Sequence, residues 1–173
     1  LLEQHLGLYG YIADGYWKDI GSLHEYQDAH FDILRGVIKV AIDGTKSKHA
    51  IVGDSTVIDT ETKNITGSNI IGKNCRIAKG AIISNSVIGD NCEIREGSVI
   101  SNSIVWQNVI IGTRAELSQA VVGNKCAVGD EAIIAENVFV SDSCYIGKKS
   151  KLLANIKIWP EKTIEDGSIV TRS

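Results

Sequence analysis

Val122-Gly-Asn-Lys-Cys-Ala-Val128-Gly-Asp-Glu-Ala-Ile-Ile134-Ala-Glu-Asn-Val-Phe-Val140-Ser-Asp-Ser-Cys-Tyr-Ile146 is the stretch that decides how this chain folds. An aliphatic residue returns there at every sixth position, and the series runs on through Leu152, Ile158, Ile164 and Val170. Six is not a helix period, and the run is too long for one strand. It is the period of a chain that lays down short strands joined by tight corners, with one aliphatic side chain per strand turned inward. Upstream the spacing contracts at intervals: leading residues fall at 71, 77 and 83, then 88, 94 and 100, then 105, 111, 117 and 122. Steps of six, six and five make a coil of three strands that closes in 17 residues.

If coils of that length stack, equivalent positions should agree, and they do. Ile71-Gly-Lys-Asn-Cys75 falls over Ile88-Gly-Asp-Asn-Cys92 and, with one coil skipped, over Val122-Gly-Asn-Lys-Cys126. Lys79-Gly80 falls over Glu96-Gly97, and Asn85-Ser86 over Asn102-Ser103. The coil at 105–121 is degenerate, with Trp106 where its neighbours carry Gly. Three-sided coils of this hexad resemble those of left-handed parallel β-helix proteins. The expected fold is mainly β, a single-stranded hexapeptide-repeat prism of about seven coils between Ile51 and Ser173. At ~4.8 Å per coil it stands roughly 30–35 Å tall.

Composition agrees. The 173 residues are 43% hydrophobic, sparse in aromatics and rich in Gly, as a narrow prism with tight corners needs. A net charge of −3 gives no bias toward nucleic acid, and the scattered Lys and Glu read as solvated faces. No apolar run approaches the ~18 residues of a membrane span, and no signal-peptide pattern opens the chain. The chain lacks Met and begins Leu1-Leu2, as expected of a piece of a longer protein. Cys75, Cys92, Cys126 and Cys144 are 17, 34 and 18 residues apart, with no C-x-x-C pair. Each is fifth in its hexad, where a small side chain is wanted, so burial as packing residues explains them better than metal binding. A reduced, cytoplasmic setting is expected to go with that. Asn74, Asn91 and Asn108 form one column, Asn85 and Asn102 another, and both suit left-handed corners.

Residues 1–49 lack the hexad. Leu8-Tyr-Gly-Tyr-Ile-Ala13 and Tyr16-Trp-Lys-Asp-Ile20 read as two strands around an Asp14-Gly15 turn. Ser22-Leu-His-Glu25 has the form of a capping box. Leu23, Tyr26, His30, Ile33 and Leu34 then follow a helical stripe, and Gly36 stops it, which predicts a helix from about Leu23 to Arg35. Val37–Ile42 is a short apolar segment, and Asp43–Lys48 a polar connector. The expected division is therefore 1–49 and 50–173, with the helix and connector packed near one end of the prism and the residues after Ile158 closing or continuing the other.

Asp14-Gly-Tyr-Trp-Lys-Asp-Ile-Gly21, followed by Tyr26, Ala29 and Asp32, resembles the end of the sugar-1-phosphate nucleotidyltransferase domain. That family reads G-x-W-x-D-x-G and then a helix with Y…A…D. The resemblance implies that 1–49 is a small α/β remnant of such a domain. It also implies that Asp19 helps hold a catalytic Mg²⁺, with Tyr16, Trp17 and Gly21 as the supporting turn of the sugar site. A left-handed β-helix follows this motif in glucose-1-phosphate adenylyltransferases, mannose-1-phosphate guanylyltransferases and the catalytic-type subunits of the translation initiation factor 2B exchange factor. Ser103-Ile-Val-Trp-Gln-Asn-Val109 and Ile158-Trp-Pro-Glu-Lys162 look most like the guanylyltransferase branch, which implies GTP and mannose-1-phosphate as substrates.

The departures set further expectations. The family's Gly-rich nucleotide loop, its sugar-phosphate Lys and its second magnesium Asp are absent from this sequence, so no complete catalytic set is expected and the chain alone should be inactive. The prism is then expected to serve assembly or regulation, as a homo-oligomer, with no nucleic acid or membrane partner. The alternatives are a glucose-1-phosphate adenylyltransferase type and a non-catalytic regulatory or scaffold subunit. Acyl transfer, which many such prisms perform with a His as general base, is disfavoured, because His5, His24, His30 and His49 all precede the repeat. The same absence argues against a three-His zinc site.

Overall fold

A computed structural model describes residues 9–59, 61 and 64–171. Leu8, the start of the first expected strand, and His5 lie outside them. From Ala50 the chain winds through seven coils of a parallel β-helix, matching the left-handed hexapeptide-repeat fold. The first face stacks Ala50–Val52, Asn69–Ile71, Val87–Ile88, Ile104–Val105, Val121–Val122, Phe139–Val140 and Lys157–Ile158. The second face runs from Val57–Ile58 to Thr163–Ile164, and the third from Asn64–Thr66 to Ile169–Val170, seven strands in each. Every pairing between coils is parallel and in register, as in Ile77↔Ile94↔Ile111.

The inward series forms the core: Ile71, Ile77, Ile83, Ile88, Ile94, Ile100, Ile111, Leu117 and Ile134 are all essentially inaccessible. Each such side chain contributes about 1.5–3 kcal/mol when fully buried. The corners are made as expected of Asn. Asn74, Asn91 and Asn108 have φ of 55°, 57° and 58°, and Asn85 and Asn102 have 48° and 47°. Lys125, Glu131 and Arg114 take the same left-handed geometry, at a cost of roughly 1–2 kcal/mol each that the stacking must offset. Gly112 turns its corner where a Cβ would lie 2.5 Å from the carbonyl carbon of Gly129 in the next coil, so no larger residue fits.

The four cysteines are buried and free. Each thiol donates to a carbonyl of the next coil, for example Cys92 to Trp106 at 2.9 Å and Cys126 to Ser141 at 3.1 Å. Burial pushes the Cys126 thiol up to about 11. Where a step is five residues long, a buried side chain supplies the acceptor that the shortened corner lacks. Asn69 Oδ1 accepts from Ser86 N–H, Ser86 Oγ from Ser103 N–H, and Ser103 Oγ from Ala120 N–H. The coils that continue at six residues per step carry Val138 and Ile156 in that column instead.

The helix spans Leu23–Leu34, with Ser22 as N-cap accepting from Glu25 N–H and Gly36 beyond the C-cap at φ 74°. Its position differs from the expectation. It lies along the first face, from Leu23 near Lys157–Ile158 to Leu34 near Ala50–Ile51, with Tyr26 packed against an outward cluster of Val87, Ile104, Val121 and Phe139. Those residues form an apolar stripe on the outside of the first face, and burying that stripe favours side-on docking over an end cap. Gln27, outside the expected stripe, is the most buried residue of the helix. What covers the first edge of that face is the connector: Thr45–Lys46 pairs antiparallel with Ile51–Val52, shielding backbone groups that an open edge would expose. At the other end the repeat continues to Ile169–Val170. The two strands expected within 8–20 do not form among the described residues, which run irregularly from Tyr9 to Gly21. A strand exists only beside a partner, and none of the described strands pairs with this segment.

Candidate functional site

The segment 15–21 is held to the helix chiefly through the Asp32 carboxylate. The Tyr16 hydroxyl donates to Asp32 Oδ2 at 2.7 Å, Lys18 Nζ donates to the same oxygen at 3.2 Å, and Arg35 donates to Oδ1 at 2.7 Å. Lys18 also reaches Asp28 at 3.7 Å. The Tyr16 hydrogen bond, then that of Arg35, holds the Asp32 carboxyl at about 2, and the same bond pushes Tyr16 up to about 12. Asp32 and Arg35 meet because they sit one helical turn apart, and Tyr16 and Lys18, two residues apart, both reach the Asp32 carboxylate.

The residues between these anchors face solvent. Trp17 is 83% exposed, and Asp19 is exposed with no hydrogen bond or ion pair among the described residues. Gly21 follows, flanked by the carboxylates of Asp19 and Glu25: a Cβ built there would lie 3.8 Å and 3.7 Å from their oxygens. The structure thus brings Asp19 and Gly21 together, ties Tyr16 down behind them, and leaves Trp17 pointing away from any described neighbour. Among the described residues no group of three or more His, Cys, Asp or Glu could hold a metal by itself. Asp19 can offer one carboxylate to Mg²⁺, a cation that commonly takes one or two carboxylates and completes its shell with phosphate oxygens and water.

Sequence reasoning missed two things here. Asp32 was only part of a pattern, yet it organises the loop; Lys18 two residues from Tyr16 and Arg35 three residues on were the available signal. The docking surface was also written in the sequence, in the doubled pairs Ile70-Ile71, Val87-Ile88, Ile104-Val105, Val121-Val122 and Phe139-Val140. The first member of each pair faces outward on the first face. The degenerate corner at Trp106 belongs to the same surface, for its ring stacks on Tyr26 with centroids 6.2 Å apart and planes tilted by 17°. No helix among the described residues is long and apolar enough to cross a membrane.

With this geometry in hand, three comparisons bear on the chain. The family model of the EIF2B subunit epsilon LbH domain matches residues 48–152, well over half the chain. A 35-residue stretch is 40% identical to the glucose-1-phosphate adenylyltransferase of Clostridioides difficile (strain 630), covering 20% of this chain and 9% of the length of that relative. Among solved structures, the acetyltransferase domain of PglB from Neisseria gonorrhoeae FA1090, in complex with acetyl coenzyme A, superposes with a TM-score of 0.51 at 15% identity. That match covers 69% of this chain and 56% of the other, and at such identity it shows the fold alone.

Proposed function

We propose the following for a chain that belongs to the family of EIF2B subunit epsilon LbH domains: it is the C-terminal part of a sugar-1-phosphate nucleotidyltransferase, with GTP and mannose-1-phosphate as the substrates of the whole enzyme. The observation that carries the reading is the union of two parts. A nucleotidyltransferase-like segment, 14–21, is pinned by Asp32 to a helix that is itself packed on a prism of this family. In the reaction an oxygen of the sugar phosphate attacks the α-phosphorus of the nucleoside triphosphate. A new P–O bond forms, the α–β bridging bond breaks, and pyrophosphate leaves. Mg²⁺, when bound, would offset the negative charge that gathers there. This chain's contribution is Asp19, one carboxylate for that ion, and the Tyr16–Asp32–Lys18 anchor that fixes where Asp19 and Gly21 stand. The prism supplies a rigid, flat-sided platform for assembly into a homo-oligomer. The 173 residues alone lack a nucleotide-cradling loop and are inactive.

The match to glucose-1-phosphate adenylyltransferase favours a second reading, with ATP and glucose-1-phosphate on the same platform. One experiment separates them. Pyrophosphate release is measured with Mg²⁺ for the protein extended upstream of residue 1, crossing GTP, ATP, UTP and dTTP with mannose-, glucose- and N-acetylglucosamine-1-phosphate. Release with GTP and mannose-1-phosphate, lost in Asp19→Asn, supports the first reading; release with ATP and glucose-1-phosphate supports the second. Silence across the panel leaves a non-catalytic regulatory or scaffold subunit. Synthesis by the 173-residue chain itself would overturn the claim that it is inactive alone.

A further inference from the structure

One corner of the prism, where the first face turns into the second, carries Gly53, Gly72, Gly89, Gly123 and Ser141 in five coils and Trp106 and Trp159 in the other two. The tryptophans stand three coils apart in one column, about 14 Å at ~4.8 Å per coil. The positions between them are bare of necessity. A Cβ on Gly123 would lie 2.5 Å from Asp142 Oδ1 and 2.9 Å from the Asp142 nitrogen, and Ser141 adds only a hydroxymethyl group. The result is a cleft of about 580 Å³ with a tryptophan at either end, Val121 and Phe139 beneath, and Tyr26 of the helix along one side. That volume lies within the ~300–1,000 Å³ typical of small-molecule sites.

Its polar side chains are few. The Tyr26 hydroxyl is buried beside the Trp106 indole, and burial raises its pKa while the Trp106 side chain lowers it in part. The Asp142 carboxylate is engaged by the backbone and side-chain nitrogens of Asn124 at 2.7 Å and 3.3 Å. Lys157, on the rim, has no ion pair among the described residues, so its ammonium is open to an acidic group, with the Asp142 carboxylate in the same lining. Trp159 remains 74% exposed, a large aromatic face with nothing laid on it.

We propose that this cleft binds a small molecule that combines a flat aromatic ring with one acidic group. The ring lies against the exposed tryptophan face, where stacking and apolar burial hold it, and the acidic group meets the Lys157 ammonium. None of the cleft's residues belongs to the 14–21 segment.

The test uses the 173-residue chain with Trp17→Phe as background, so that tryptophan emission reports on the prism. The probes are 8-anilinonaphthalene-1-sulfonate and its uncharged analogue N-phenyl-1-naphthylamine. The expected result is one saturable site per chain for the anionic probe. Trp159→Ala should weaken both probes by about 5–100-fold, the range of a lost ring stack. Lys157→Gln should weaken the anionic probe by about 2–5-fold, as an exposed charge pair implies, and leave the neutral one unchanged. Both substituted side chains are exposed, so the far-ultraviolet dichroism should stay that of the parent. Unsaturable binding, binding indifferent to Trp159→Ala, or binding that appears only on dilution of a self-associated chain would each overturn the proposal. The last outcome would make the cleft a contact between copies.

Discussion

Ile94→Asp places a carboxylate on the axis of the prism, and its cost can be worked from the structure. Ile94 is fully buried on the second face, with Ile77 in the coil before it and Ile111 in the coil after. Removing its buried atoms costs about 2–5 kcal/mol in transfer and cavity terms. Among the described residues the interior offers no cation, so the new carboxyl would fold in its neutral form, with a pKa raised by up to about 3–5 units. At neutral pH that adds about 4 kcal/mol or more, at 1.36 kcal/mol per unit. The total, about 6–9 kcal/mol, rivals the ~5–15 kcal/mol stability of a typical domain. Coils depend on their neighbours, so several should unfold together. Urea and thermal denaturation followed by circular dichroism provide the assay, at pH 7 and again at pH 4.5. The folded pKa lies above the unfolded one, so the deficit should be smallest below about pH 4 and grow as pH rises toward neutrality. The adjacent outward residue is the control: Glu93→Ala, which removes only a partly exposed ion pair with Arg95, should change stability by no more than about 1 kcal/mol. A melt of Ile94→Asp that matches the parent, or an equal loss in Glu93→Ala, would refute the register.

Three further outcomes are expected. Ser103→Ala leaves the buried N–H of Ala120 without its acceptor and should cost about 1–3 kcal/mol in urea denaturation, whereas Ser101→Ala, partly exposed, should cost less than about 1 kcal/mol. Asp32 has a folded pKa of about 2, below the ~3.9 of an unfolded chain, so its anchor should hold above about pH 4 and be lost as pH falls toward 2. Fluorescence anisotropy of Trp17 against pH, with Trp106→Phe and Trp159→Phe, should report that release, and Asp32→Asn should show it already at pH 7. All four thiols are 2% exposed, so a thiol reagent at pH 8 should titrate none in the native chain and four in denaturant; rapid native reaction would contradict the stacked column.

Much of this molecule was legible before any coordinates. The inward series from Ile71 to Val170, the Asn corners and the buried cysteine column all followed from a repeat of 17 or 18 residues, because each coil solves the same local packing problem as the one beneath it. The helix and its Ser22 cap were equally local, since capping and periodicity act within a few residues. What the tertiary structure decided was everything that couples the non-repeating part to the repeat. The helix lies on the side of the prism because outward residues from several coils, Val87, Ile104, Val121 and Phe139, gather into one surface only after the chain has wound. The segment 9–21 stays irregular because strand formation depends on a partner and not on the segment's own alternation. Asp32 became the anchor of the Tyr16–Gly21 loop, and Trp106 and Trp159 became the ends of one cleft, for the same reason. Periodicity fixes which way a side chain points, but which distant residues it meets depends on how many coils lie between them.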